Sequence, residues 1–193
     1  MPKKLAITML SFASLITLSA CGGNSNEDSS HHEASEAVQQ ETSTTDHHAH
    51  MQHSSDGKLP EGVKEASNPT FPIGSTAIMK AEHMEGMNGV EATIVGAFDT
   101  TAYSVSYTPT NGGGPVKNHK WVIYEEVQLE NNEPLKQNSE VVLKADHMEG
   151  MLGAKATIDS IEKTTVYMVD YTSSTGEKVK NHKWVTESEL VKK

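Results

Sequence analysis

Two short blocks of the sequence combine residue types that bind soft transition metals. Residues 80–87 read KAEHMEGM, and residues 144–151 read KADHMEGM. Imidazole binds several transition metals, whereas the uncharged thioether of methionine favours Cu(I) over hard ions. A second pair of blocks, VKNHKWV at 116–122 and at 179–185, adds one histidine to each copy. The sequence therefore predicts one soft metal site in each copy: His83, Met84, Met87 and His119 in the first, and His147, Met148, Met151 and His182 in the second.

A structural role is the alternative for part of this set. Methionine fills irregular core gaps well, so Met87 and Met151 could instead close one end of a small barrel. The histidines at 119 and 182 each lie two residues before a tryptophan, and the favoured interpretation for these two is a hydrogen-bonded structural histidine. The spacing leaves open whether either of them reaches the loop of its own copy. The residues favoured as ligands are His83, Met84, His147 and Met148.

Before the repeated blocks, a polar segment holds most of the histidines. Residues 22–68 contain no aromatic residue and few aliphatic ones, so they cannot bury enough surface to offset their chain entropy. We expect a lipidated, disordered tether over residues 21–69. Six of the ten histidines lie in it, and such a tract either binds Cu(II) or Zn(II) through neutral imidazoles or is simply solvated. The metal candidates in its densest part are His47, His48, His50 and His53.

The elements that position the repeated blocks belong to a tandem duplication. Residues 80–127 align with residues 144–190 with a single gap, and 26 of the 47 aligned positions are identical. Apolar residues recur with period two, as in Tyr103, Val105 and Tyr107, which is typical of half-buried strands. His119 and Trp121 share strand parity, which predicts that both side chains point to the same face.

The pattern of each copy therefore predicts four or five short strands, joined by Gly-rich turns and by a loop that carries the His-Met block. About 60 residues with this many strands is the size of a small SH3-like barrel. The predicted fold class is mainly β, with two SH3-like β-barrel modules that follow the tether. The first module is placed at residues 70–131 and the second at residues 132–193.

The first twenty residues indicate export. Lys3 and Lys4 precede a short apolar stretch that is typical of a signal peptide. The following LSACG, which contains Cys21, resembles the lipobox of bacterial lipoproteins. That resemblance implies removal of residues 1–20 and acylation of Cys21, palmitate included, so that the chain is anchored to the cell membrane and faces the extracellular side. An ordinary signal peptide followed by a chance cysteine is the alternative.

Composition excludes several other classes of protein. The chain has 193 residues, a net charge of −10 and no arginine, which argues against a nucleic-acid partner. Its single cysteine forms neither an internal disulfide nor a CxxC motif. None of the common catalytic motifs is present in the sequence, so we do not expect an enzyme.

The lipobox, the His-rich tether and the repeated HMEGM and KNHKWV blocks together resemble the YdhK family of Gram-positive lipoproteins, whose duplicated domain has no assigned function. The resemblance covers residues from about 70 to 190. One branch of that family is similar to the copper-binding surface lipoprotein CopL, which is associated with copper resistance. The resemblance implies extracellular copper sequestration that contributes to copper tolerance. Two alternatives stay open: an interaction module that binds cell-wall polymer or a partner protein, and a zinc-binding protein.

Overall fold

The structure is a computed structural model that describes residues 55–129 and 135–193. The predicted signal peptide, Cys21 and the tether candidates His47, His48, His50 and His53 lie outside the described residues. The part that is described is mainly β, as predicted, with two short 3₁₀ turns and no α-helix. Accordingly, it contains no helix with the length and apolar character needed to cross a membrane.

Eight strands make up the described fold, and two of them are much longer than the others. The alternation of buried and exposed residues that predicted strands in the sequence is present near the ends of both long strands, but it is interrupted in between, where residues 102–105 and 166–169 are all buried. The 3₁₀ turns are Tyr124–Glu126 and Glu187–Glu189. The strands are β1 (Thr76–Met79), β2 (Glu91–Tyr107), β3 (Val116–Ile123), β4 (Val127–Gln128), β5 (Glu140–Leu143), β6 (Lys155–Thr172), β7 (Lys178–Thr186) and β8 (Leu190–Val191).

The two long strands, β2 and β6, pair with each other along almost their whole length. Their antiparallel register runs from Ala92 opposite Tyr171 to Tyr107 opposite Ala156. Strand β1 pairs with the beginning of β2 and β7 with the end of β6, whereas β3 pairs with the end of β2 and β5 with the beginning of β6. We call the part with β8, β1, the beginning of β2, the end of β6 and β7 the first half, and the part with β3, the end of β2, the beginning of β6, β5 and β4 the second half.

Each half therefore contains strands from both sequence repeats. The predicted SH3-like barrels are not confirmed, because the sheet is not closed: among the described strands the pairings run in the open order β4-β5-β6-β2-β1-β8, with β3 and β7 as side partners. Period-two alternation places strands correctly but carries no information about which repeat supplies the neighbouring strand. The long antiparallel pairing of β2 with β6 determines that strands of both repeats are neighbours in each half.

Three apolar clusters stabilise this arrangement. The first lies in the first half and contains Met79, Met87 and Tyr167, while the second is its counterpart in the second half, with Leu143 and Met151. The third cluster joins the two halves and contains both tryptophans, with residues from β2 and β6. Its members are Phe98, Ala102, Trp121, Ile123, Val166, Met168 and Trp184.

The segment before β1 is more ordered than the sequence predicts. The Ser55 N–H donates to the Lys180 carbonyl at 3.0 Å, and the Ala66 N–H donates to the Ala97 carbonyl at 2.9 Å. Ala66 also packs against the first cluster. The prediction of a disordered tether as far as residue 69 was therefore wrong for residues 55–69, because backbone hydrogen bonds to the sheet and a few small apolar side chains hold this stretch in place.

Candidate metal centres

The two His-Met loops are held against the sheet by glycines in the left-handed region of backbone space. Gly86 has φ +73 and Gly150 has φ +78. The Ser174 N–H donates to the Gly86 carbonyl at 2.9 Å, and the Thr110 N–H donates to the Gly150 carbonyl at the same distance. A Cβ at Gly86 would lie 3.1 Å from the Ser173 Cβ, and one at Gly150 would lie 2.8 Å from the Asn111 side chain. Each loop therefore docks on the hairpin turn of the other repeat.

The first site is formed around His83. Its ring stacks on that of His182 with centroids 5.7 Å apart and an interplanar angle of 28°. The Tyr171 ring meets His182 edge-on at 5.9 Å, and the Tyr171 hydroxyl is 4.0 Å from the Met84 sulfur. One imidazole and one thioether thus contact the same tyrosine, and the second imidazole stacks on the first. This follows from the placement of the first loop beside the end of β6 and β7.

The second site repeats this arrangement around His147. Its ring centroid is 6.2 Å from that of His119, with the planes tilted by 42°. The Tyr107 ring meets His119 edge-on at 6.1 Å, and the Tyr107 hydroxyl donates a weak hydrogen bond to the Met148 sulfur at 3.7 Å. The loop residues come from the second repeat and the strand residues from the first.

The predicted grouping of one site within each repeat was therefore wrong. His83 contacts the ring of His182 rather than that of His119, and His147 contacts His119 rather than His182. The exchange of long strands between the halves is the cause, since it brings the loop of one repeat to the strands of the other.

The two remaining predicted ligands lie in the apolar clusters. Met87 and Met151 have no exposed surface and belong to the first and second clusters respectively. Met84 and Met148 are half-buried at the edges of the same clusters. The packing of Met87 and Met151 matches the alternative in which they fill the core. Met84 and Met148 are therefore the methionines of the two candidate sites.

Strand parity also failed for the histidine and tryptophan of the KNHKW block. Trp121 packs in the third cluster, whereas His119 contacts Tyr107 of the second. The ladder between β2 and β3 shifts register between Tyr103 and Val105 and again between Val105 and Tyr107. These irregularities break the simple alternation, so the histidine and the tryptophan serve different parts of the fold.

Two carboxylates that the sequence analysis did not single out complete the sites. The Glu126 Oε1 lies 2.7 Å from the His147 Nε2, while its Oε2 accepts the Ile123 N–H at 3.1 Å and the Trp184 indole N–H at 3.0 Å. Burial alone would raise the pKa of the Glu126 carboxyl, but His147 and these donors hold the pKa below its ordinary value. Glu126 is thus a buried anion beside the loop histidine.

Glu189 has the corresponding position in the first site. Its Oε2 accepts the Trp121 indole N–H at 2.8 Å and the Thr186 N–H at 3.1 Å. Its Oε1 is 3.6 Å from the His83 Nδ1, an ion-pair distance that is too long for a hydrogen bond. Glu126 and Glu189 occupy identical aligned positions of the two repeats, and that identity was the sequence signal that could have revealed them.

Several histidine nitrogens in these sites are buried without a hydrogen bond among the described residues. They include the His83 Nε2, the His119 Nε2 and the His147 Nδ1. Buried polar atoms are normally paired, and an exception calls for an explanation such as an ion. Burial, together with the neighbouring His147 and His83, lowers the pKa of His119 to about 4. His119 is therefore neutral at pH 7, the form that binds metals.

The donor sets differ from those of ordinary structural zinc sites. Within residues 55–129 and 135–193, no three His, Cys, Asp or Glu side chains are grouped closely enough to hold a metal ion. Structural zinc sites use four such ligands. The candidates here consist instead of two imidazoles and a nearby thioether, so any metal they bind must accept sulfur from methionine or few protein ligands.

Comparison with known proteins shows the family to which the chain belongs. The chain belongs to the family described as "Protein of unknown function (DUF1541)", whose model matches residues 73–124 and again residues 137–187. The two matches confirm the tandem repeat. The family resemblance expected from the sequence is confirmed as well, because the chain is 52% identical over 188 residues to "Uncharacterized protein YdhK" of Bacillus subtilis strain 168, covering 97% of this chain and 88% of the relative.

Solved structures of that relative share the fold. The crystal structure of the DUF1541 family protein ydhK from Bacillus subtilis, at 2.00 Å resolution, matches with a TM-score of 0.71 and 59% identity, over 76% of this chain and all of that one. The solution NMR structure of the ydhK C-terminal domain matches with a TM-score of 0.60 and 62% identity, over 64% of this chain and 94% of that one.

Proposed function

We propose that this protein captures copper at the outer cell surface through two related sites. The first consists of His83, Met84 and His182, and the second of His147, Met148 and His119. In this proposal the protein is not an enzyme. It sequesters copper before the ion reaches the membrane and so contributes to copper tolerance.

One observation carries the proposal: in both sites an imidazole and a methionine sulfur contact the same tyrosine, and the site contains buried imidazole nitrogens without hydrogen bonds among the described residues. Leaving such nitrogens unpaired costs roughly 1–3 kcal/mol each, and a bound metal removes that cost. Thioether sulfur favours Cu(I) among the metals that imidazole also binds. This combination supports Cu(I) over zinc.

The tyrosines beside the sulfurs fit the same assignment. Burial, and to a smaller extent Glu177, raises the pKa of Tyr171 to about 12, and burial raises the pKa of Tyr107 as well. Both phenols therefore stay protonated at neutral pH and donate to the methionine sulfurs rather than acting as anionic ligands. A neutral donor set is suited to a monovalent soft ion.

The proposed location rests on the first residues of the sequence. Removal of residues 1–20 and acylation of Cys21 would anchor the chain on the outer face of the cell membrane. Tether residues His47, His48, His50 and His53 would then offer additional, less selective sites for Cu(II) or Zn(II). In this proposal the tether histidines add metal-binding capacity to the two sites of the folded part.

Titration of the unlipidated mature chain with Cu(I), against a competing chromophoric chelator, tests the proposal. We expect two tightly bound equivalents, one in each of the single variants His83→Ala and His147→Ala, and none in the double variant. The variant His31→Ala, which changes a tether histidine, is the matched control and should keep two. Loss of neither equivalent in the double variant, or no tight binding by the parent chain, would overturn the assignment.

The metal is identified by a second pair of variants. Replacing Met84 and Met148 by leucine conserves side-chain volume but removes the sulfur, so Cu(I) affinity should fall while zinc affinity is unchanged. Metal analysis of the protein after exposure to equal copper and zinc gives the same answer independently. Preferential retention of zinc would transfer the assignment to the zinc alternative.

A groove away from the histidines supports the interaction module as a second candidate. It is lined by residues 99–101, 124–125 and 163–165, and the ring of Tyr124 is exposed. The hydroxyls of Thr100 and Thr165 donate to the carboxylates of Glu125 and Asp99 in this groove. An exposed aromatic ring beside polar side chains suits a sugar polymer such as the cell wall. Sedimentation with purified cell wall should then depend on Tyr124, and equal sedimentation of Tyr124→Ala and the parent chain would exclude this use of the groove.

A further inference from the structure

The tryptophan of each KNHKW block binds the carboxylate of the site to which its own histidine does not belong. Trp121 follows His119 of the second site by two residues, yet its indole N–H donates to Glu189 of the first site at 2.8 Å. Trp184 follows His182 of the first site, yet its indole N–H donates to Glu126 of the second at 3.0 Å. Strands β3 and β7 therefore each take part in both sites.

Burial makes these two hydrogen bonds structurally important. Trp121 is 5% exposed and Trp184 is fully buried, and both lie in the third cluster that joins the halves. A buried indole N–H needs an acceptor, and each glutamate supplies one with the Oε2 atom. The Oε1 atom of the same carboxylate faces the loop histidine, at 3.6 Å from His83 and 2.7 Å from His147.

We propose that Trp121 and Trp184 are positioning residues that couple the two candidate sites. Each tryptophan fixes the carboxylate that faces the loop histidine of one site, while its strand carries a histidine of the other. Any displacement of β3 at His119 would therefore reach His83 through Trp121 and Glu189. The identity of the bound ion rests on the proposed copper function, whereas the coupling itself is a property of the metal-free protein.

The variants Trp121→Phe and Trp184→Phe form a matched pair, because each removes one indole N–H and keeps an aromatic ring in the third cluster. The first measurement records the imidazole nitrogen shifts by NMR in the metal-free protein. Trp121→Phe should shift the signals of His83 more than those of His119, its near neighbour in sequence. Trp184→Phe should shift His147 more than His182.

The second measurement is the Cu(I) affinity in backgrounds with one site each. Partners that orient metal-bound histidines typically change metal affinity by 10- to 100-fold. In a His147→Ala background, which keeps the first site, Trp121→Phe should weaken Cu(I) binding at least about tenfold, and Trp184→Phe should have the smaller effect. In a His83→Ala background the order should reverse.

The outcomes separate the coupling from the copper assignment. If the parent chain binds no copper but Trp121→Phe shifts His83 selectively, the coupling stands and the copper function fails. If copper binds and each tryptophan variant affects the histidine of its own strand most, the coupling is overturned and the copper function stands.

A further variant covers the case in which a tryptophan variant does not fold. Glu189→Gln keeps a carbonyl acceptor for the Trp121 indole but removes the charge that faces His83. It should shift both the His83 signals and the Trp121 indole N–H signal, while the Trp184 indole N–H stays in place. Unchanged His83 signals in this variant would overturn the coupling.

Discussion

The first and second sites contain the same residue types in the same order, but their carboxylates hold the loop histidine differently. The His147 Nε2 is 2.7 Å from Glu126, whereas the His83 Nδ1 is 3.6 Å from Glu189. The Glu126 side chain is 6% exposed and that of Glu189 is 13% exposed. The second site therefore has the closer and more buried carboxylate, whereas the first has the closer pair of imidazole rings, with centroids 5.7 Å apart against 6.2 Å.

The segments that surround the two sites also differ. The turn between β2 and β3 spans residues 108–115, whereas the turn between β6 and β7 is shorter, at residues 173–177. Ser55 contacts β7 through the Asn181 carbonyl at 2.7 Å. Identical motifs in this duplicated chain therefore lie beside segments that are not identical.

Removal of each carboxylate should give the largest difference between the sites. Glu126→Ala leaves a buried indole N–H, a backbone N–H and a buried histidine without their acceptor, so we expect a loss of about 3–5 kcal/mol in the free energy of unfolding. Glu189→Ala should cost less, about 2 kcal/mol, because the carboxylate is more exposed and farther from its histidine. Urea denaturation of the metal-free chain measures both. Equal losses would show that the distances do not reflect different stability.

The pH dependence of stability sharpens the description of the second site. In the fold the pKa of His119 is about 4, against an ordinary value of 6.5, so between these pH values the unfolded chain binds a proton that the folded chain does not. The contribution is complete above about pH 6.5 and decreases as the pH falls towards 4, by about 3 kcal/mol in total. His119→Gln should flatten the profile over this range in denaturation experiments with a chelator present. An unchanged slope would contradict the burial of a neutral His119.

The loop glycines should show a smaller effect that is similar in both sites. Gly86→Ala and Gly150→Ala each place a side chain at positive φ and close to the neighbouring hairpin turn, so each should lower the free energy of unfolding by about 1–2 kcal/mol. Each variant should also weaken Cu(I) binding mainly at the site of its own loop. Gly112→Ala, with positive φ but no neighbouring atom within 4 Å of its Cβ, separates backbone strain from close contact. If both loop variants bind Cu(I) as tightly as the parent chain, the contact of each loop with the neighbouring hairpin turn does not position the ligands.

The contact of Ser55 with β7 should have the smallest effect. Ser55→Ala removes the hydrogen bond to the Asn181 carbonyl, with an expected loss of about 0.5–1 kcal/mol. Amide hydrogen exchange should accelerate near Asn181, while residues near Asn118, its counterpart in the other repeat, stay unchanged. Faster exchange at both positions would mean that this contact does not distinguish the two sites.

The sequence predicted the local structure well and the pairing of its parts poorly. The alternation of Tyr103, Val105 and Tyr107 identified a strand, and the loop that carries His83 was placed correctly after β1. Alternation depends only on burial, however, so it did not reveal that β2 pairs with β6 of the other repeat.

The predicted metal-ligand sets were wrong for the same reason. Each set combined the loop and strand residues of one repeat, whereas the pairing of β2 with β6 places them in different sites. Glu126 and Glu189 were not predicted as site residues because a glutamate just after a strand is normally solvated. Only the folded chain brings an indole N–H and an imidazole close to each carboxylate. The register shifts in β3 likewise separated His119 from Trp121.

The exchange of β2 and β6 also has a consequence for the origin of the protein. A chain with one repeat would contain a loop and strands that belong to different sites, and it could complete both sites only by pairing with a second copy of itself. The present architecture is equivalent to such a strand-swapped homodimer joined into one polypeptide. Duplication would then have converted binding that depends on protein concentration into binding that a single molecule achieves on its own.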